Sequence, residues 1–205
     1  MEHETVPFSL ALFDFVPNIA FLAGAYFLVK ITVLLRSSAC SRMVMAGSLL
    51  IALGGILKAT WKMIYAVGAA DIRWMSEVQF ALVAPGFLGL LIAVILVARS
   101  RRKPLTLPIL AIAPWKIPFL VLMTLASLGA QGILTYIAFR KKARLAATGF
   151  IIAFLCLLAM GNLASSEQTL ARQWIEEGIN SIGQAGFMLG SFLLYRKVKK
   201  SGGQC

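Results

Sequence analysis

Two sets of polar residues sit inside otherwise apolar sequence, and they are where chemistry could occur. Glu177, Asn180, Ser181 and Gln184 fall at i, i+3, i+4 and i+7 within a stretch rich in Ile, Gly, Phe and Met. On a helix that spacing gathers all four on one face. Lys58, Trp61, Lys62 and Tyr65 repeat the spacing in an earlier apolar run. A strip of carboxylate, amides and hydroxyl beside a strip of ammonium groups could balance a charged solute, hold an amine or handle protons. The bland alternative is an interhelical hydrogen-bond seam, with the lysines snorkelling to the surface.

Glu77 completes the set. With Glu177 it makes a pair of carboxylates able to share a proton or bind a cation, and either acid could relieve a buried lysine. An isolated charge at the centre of a bilayer costs at least ~2.5 kcal/mol on insertion scales, so a partner is worth having. Counted inward from residue 68, Lys58 would lie about 15 Å deep and Lys62 about 9 Å. The expected substrate-lining residues are therefore Lys58, Lys62, Tyr65, Glu77, Glu177, Asn180, Ser181 and Gln184.

Other chemistries lack their residues. His3 is the only histidine, which removes bis-histidine ligation and serine–histidine catalysis. Cys40, Cys156 and Cys205 form no CxxC pair, and no glycine loop suits a phosphate. No cofactor and no metal are implied. A lipid-acting enzyme using acids beside the bilayer is a minor reading, so the chain is expected not to be an enzyme.

The elements that must position these residues are membrane spans. Of 205 residues, 60% are hydrophobic and only 14% charged, with mean hydropathy +0.84. Soluble domains carry about 25% charged residues. Six apolar runs, near 15–35, 43–68, 75–98, 117–139, 145–164 and 174–195, are long enough to cross a bilayer. The first is read as a retained span, because Glu2 and Glu4 precede it and it is too long for a signal peptide.

Charge sign sets the direction. The net charge of +12 comes from clusters at the ends of the runs, such as Arg99–Lys103, Arg140–Arg144 and Arg196–Lys200. These are the cytoplasmic flanks of spans and not a nucleic-acid surface. Keeping all of them on one side requires a seventh crossing at 104–116, a short piece with Pro104, Pro108 and Pro114. Every acid then lies on the other side. The expectation is an outside N-terminus and a cytoplasmic C-terminus in a plasma or inner membrane. A six-span bundle is the alternative.

The halves also resemble each other. Trp74-Met75-Ser76-Glu77 and Trp174-Ile175-Glu176-Glu177 open two runs that then reach Gly86-Phe87 and Gly186-Phe187 at the same distance. Pro17 and Pro118 begin corresponding spans. The fold expected is an all-α integral membrane protein of three-plus-one-plus-three layout. Residues 1–103 form one repeat, 104–116 a linker span and 117–205 a second, parallel repeat. Parallel repeats about an axis along the membrane normal occur in small carriers. The function expected is a transporter or permease for a small polar or charged solute, with its site between the repeats. The alternative is a non-enzymatic membrane sensor or assembly subunit. Partners would be membrane lipids, the solute or ion, and a membrane protein or second copy of the chain.

Overall fold

The structure is a computed structural model and describes residues 7–36, 38–99, 116–163 and 169–202. Seven helices follow in order: α1 Phe8–Phe13, α2 Phe15–Leu35, α3 Ser38–Ala66, α4 Arg73–Ala98, α5 Lys116–Arg140, α6 Arg144–Leu163 and α7 Leu170–Gly202. No strand occurs among the described residues. Five helical stretches are long and apolar enough to cross a membrane, the first being Phe8–Leu35, which joins α1 and α2. The 33 residues of α7 are long enough too, but its polar strip makes it less apolar.

The six apolar runs of the sequence reappear as α2 to α7. The first span starts earlier than expected, because α1 continues the run backwards to Phe8. The interruption at Asp14 has a local cause. Pro17 has no N–H to return to the carbonyl of Phe13, so the helical bonding falters there. The Asn18 side chain instead donates to the Asp14 carbonyl at 2.9 Å.

Sharp reversals end α3 and α5. Gly68 at φ 70° and Lys142 at φ 55° both adopt the left-handed conformation. In each turn the next residue's N–H reaches five residues back, Ala69 to Ile64 and Ala143 to Ala138. This is the Schellman termination, which satisfies otherwise orphaned carbonyls. Glycine takes that conformation freely, whereas a lysine there is strained by its β-carbon.

The helices form a closed ring. Each of α2 to α6 packs on its successor, and α7 returns to α2. Neighbours joined by short turns are antiparallel, but two seams are parallel. Between α4 and α5, Leu91 lies against Gly129, and Arg140 Nη1 donates to the Ala98 carbonyl at 3.3 Å. Between α2 and α7, Gly24 lies against Phe187 and Phe27 against Phe192 and Tyr195. In both seams the contacts advance in the same sense along both helices.

Because α4 and α5 are parallel, Arg99 and Lys116 stand at opposite ends of the bundle. Of the expected linker span 104–116, residues 104–115 lie outside the described residues, and Lys116 is the first residue of α5. Glu167 and the basic residues 101–103 also lie outside the described residues. Described acids gather at the end formed by Asp14, Asp71, Glu77, Glu176 and Glu177, while Arg36, Arg42, Arg140 and Arg196 mark the other.

Two helix pairs approach through glycines. A β-carbon on Gly47 of α3 would stand 2.7 Å from the Gly86 carbonyl oxygen of α4. One on Gly149 of α6 would stand 2.7 Å from that of Gly186 in α7. Small residues allow such backbone contact where helices have no hydrophobic drive to associate in lipid. The residues next in chain, Phe87 and Phe187, both pack on Phe21, with ring centroids 6.4 and 5.6 Å away. Phe150 adds a further contact to Phe187 at 6.3 Å. An aromatic layer from α2, α4, α6 and α7 thus crosses the middle of the bundle.

Candidate functional site

A buried ion cluster lies at the acidic end. Lys62 Nζ, near the C-terminus of α3, sits 2.7 Å from Asp14 Oδ2 and 3.0 Å from Glu177 Oε1. All three residues are buried, with 4% of Asp14, 9% of Lys62 and 5% of Glu177 exposed. The Glu177 contact is an aligned hydrogen bond. Asp14 has no aligned hydrogen bond to either carboxylate oxygen in spite of its short distance, so charge holds that contact. Removing one partner from such a cluster leaves an uncompensated buried charge.

The helices bring these groups together for local reasons. Asp14 sits at the α1–α2 interruption, and the Asn18 amide behind it needs space from α3. Gly55 supplies that space, because a β-carbon there would collide with Asn18 Oδ1. Glu177 lies in the first turns of α7, which runs parallel to α2, so both carboxylates reach the same level. Phe13 and Trp174 meet above them with ring centroids 5.9 Å apart and cover the cluster from its open end.

Lys58, one turn deeper on α3, is half-buried and has no ion pair among the described residues.

Beneath the cluster the polar strip of α7 continues inward. Asn180 and Gln184 line a cavity of about 20 Å³ together with Gln131 of α5 and Cys156 and Met160 of α6. That volume suits about one water molecule. Gln131 Oε1 and Ser181 Oγ are buried without a hydrogen-bond partner. From Glu177 to Gln184 the strip covers about 10 Å at the helical rise, ending above the aromatic layer.

The structure thus brings together Lys62, Glu177, Asn180 and Gln184, with Ser181 beside them. Two expected residues lie elsewhere. Tyr65 stacks on Trp61 at 6.0 Å, and Trp61 Nε1 donates to Asp71 Oδ1 at 3.1 Å, so this aromatic pair serves the α3–α4 turn. Glu77 is exposed near the start of α4. It is not the acid that joins Glu177. That acid is Asp14, which stands one residue before the apolar run 15–35. The signal that finds it is the apolar stretch of 28 residues, Phe8–Leu35, of which Asp14 is the seventh residue.

No group of three or more histidine, cysteine or acidic side chains able to hold a metal ion occurs among the described residues. Neither a protein-family model, nor a curated protein, nor a solved structure matches the chain.

Proposed function

We propose that this chain is a small multi-pass membrane carrier for a small polar or charged solute, closed at its acidic end by the Asp14–Lys62–Glu177 cluster. The observation that carries the reading is the position of that cluster. It lies at the head of the Glu177–Gln184 strip, which leads to a water-sized cavity among α5, α6 and α7 where Gln131, Asn180 and Gln184 meet Cys156 and Met160. Ion pairs buried among spans are costly, face the bundle interior and mark pathways for solutes or protons. Below the cavity the rings of Phe21, Phe87, Phe150 and Phe187 form a second barrier. A carrier caught between openings needs both.

The layout supporting this is three-plus-one-plus-three. The parallel α4–α5 seam favours one more crossing between residues 99 and 116, for seven in all. The matching glycine contacts at Gly47–Gly86 and Gly149–Gly186, with Phe87 and Phe187 both on Phe21, favour two related units of α2–α4 and α5–α7. Lys62 and Asp14 then belong to one unit and Glu177 to the other. Rocking of one unit against the other would break the ion pairs and expose the cavity. The basic end faces the cytoplasm in this reading, following the lysine and arginine asymmetry.

The test is solute entry into proteoliposomes, read by swelling across a panel of small amino acids, organic acids, amines and sugars. The wild-type chain is expected to admit a subset of them, and Glu177→Gln to change that rate at unchanged membrane abundance. Swelling equal to empty liposomes for every solute would overturn the assignment.

A further inference from the structure

At the end opposite the ion cluster, the C-termini of α2, α4 and α5 surround a recess of about 290 Å³. Its walls carry Arg36, Arg99, Arg140 and Lys141, and Leu35 and Ile137 form apolar parts of the lining. We propose that this recess binds a phosphate group, in the first instance the headgroup of an anionic phospholipid. The inference is independent of the transport reading.

Four cations converge here, and no described acid stands among them. Among the described residues none of the four is ion-paired, and the described acids lie at the far end of the bundle. Two of the arginines have a structural task. Arg36 Nη1 donates to the Arg99 carbonyl at 3.1 Å and Arg140 Nη1 to the Ala98 carbonyl at 3.3 Å, which caps the last turn of α4. Each guanidinium has five N–H donors, so a single capping bond leaves a fork available. Capping therefore fixes the two guanidinium groups at the recess wall while leaving donors for an anion. Among the described residues the side chains of Arg99 and Lys141 make no capping bond and add charge.

Phosphate oxygens match this arrangement, since guanidinium forks bind them in pairs of parallel hydrogen bonds. The volume falls just below the usual range for small-molecule pockets, about 300–1,000 Å³, and suits a headgroup. The apolar lining and the position at the ends of spans favour a lipid, because basic pockets between spans take anionic headgroups.

The experiment uses the full chain in nanodiscs of equal phosphatidylcholine and phosphatidylglycerol, followed by native mass spectrometry of the lipids retained. Wild type is expected to retain phosphatidylglycerol over phosphatidylcholine. The variant R99Q/K141Q, which spares both capping arginines, should lose that preference by on the order of tenfold. The control R196Q/K197Q removes as much charge from the same end of the bundle and should keep it. Equal loss in the control, or equal retention of both lipids by wild type together with no response to phosphate in the arm below, would overturn the proposal. A second arm titrates inorganic phosphate into protein in neutral detergent and follows the thermal midpoint. A rise that depends on Arg99 and Lys141, without phosphatidylglycerol retention, would keep the site and move its ligand to a soluble phosphate.

Discussion

Lys62 and Glu177 are 115 residues apart in the chain, yet the ammonium of one lies 3.0 Å from the carboxylate of the other. The bond joins α3 to α7, beside the seam where the last helix of the ring meets α2. With Asp14 on the other side of the ammonium, the cluster ties together three helix ends that share no turn.

Its stability should depend on balance more than on the number of charges. Lys62→Met leaves two buried carboxylates facing each other and is expected to cost about 3–5 kcal/mol, read as a lower thermal midpoint and reduced monodisperse yield. The triple variant D14N/K62M/E177Q removes all three charges and should recover most of the loss. A triple variant as unstable as Lys62→Met would mean that packing, and not charge, is what the lysine supplies.

The two acids should not be equivalent. Glu177 has the aligned hydrogen bond and Asp14 does not. Hydrogen bonds to charged groups contribute about 1.5–3 kcal/mol, so Glu177→Gln should destabilise more than Asp14→Asn. Thermal unfolding of the two single variants checks the order.

Glycine contacts give a second, charge-free prediction. A methyl group on Gly86 would stand 2.8 Å from the Gly47 carbonyl oxygen, and one on Gly186 2.8 Å from that of Gly149. Gly86→Ala and Gly186→Ala should each cost about 1–3 kcal/mol by forcing helices apart. Gly89→Ala, with nothing within 4 Å of the added carbon, should be close to neutral. Comparable midpoints for all three would contradict the close packing.

Lys142 offers the opposite sign. Its left-handed conformation strains a side chain that glycine would not have. Lys142→Gly should stabilise by about 0.5–1 kcal/mol, as an increase in the thermal midpoint.

The seven-crossing layout is open to chemical mapping. Single cysteines at Arg99, Lys116 and Lys142 in a cysteine-free chain should label from opposite sides in intact vesicles, with 116 apart from the other two. Labelling of 99 and 116 from the same side would remove the additional crossing.

How far the sequence reached depends on what kind of signal each feature leaves. Span boundaries were legible because apolar runs and basic clusters are local in the chain. The strip from Glu177 to Gln184 was legible for the same reason, since helical spacing alone puts it on one face. Asp14 was harder. Beginning the first span at Phe15 turned it into an interfacial acid, although Phe8–Phe13 continues the apolar run on its other side. Glu77 was favoured by its match to Glu177, but pairing depends on which helix ends meet, and the ring closes α7 on α2. The recess at the basic end had no local signature at all. It arises only when three helix ends from distant parts of the chain converge.

The most direct test of the gate uses the chain's own thiol. Cys156 lines the cavity beneath the cluster, so a C40A/C205A chain carries a single reporter there. An impermeant thiol reagent applied from the acidic side should label it slowly in the wild-type background. Glu177→Gln removes a charged hydrogen bond of about 1.5–3 kcal/mol and should speed labelling by about tenfold or more. Equal rates in two equally well folded proteins would contradict the claim that these ion pairs close the cavity.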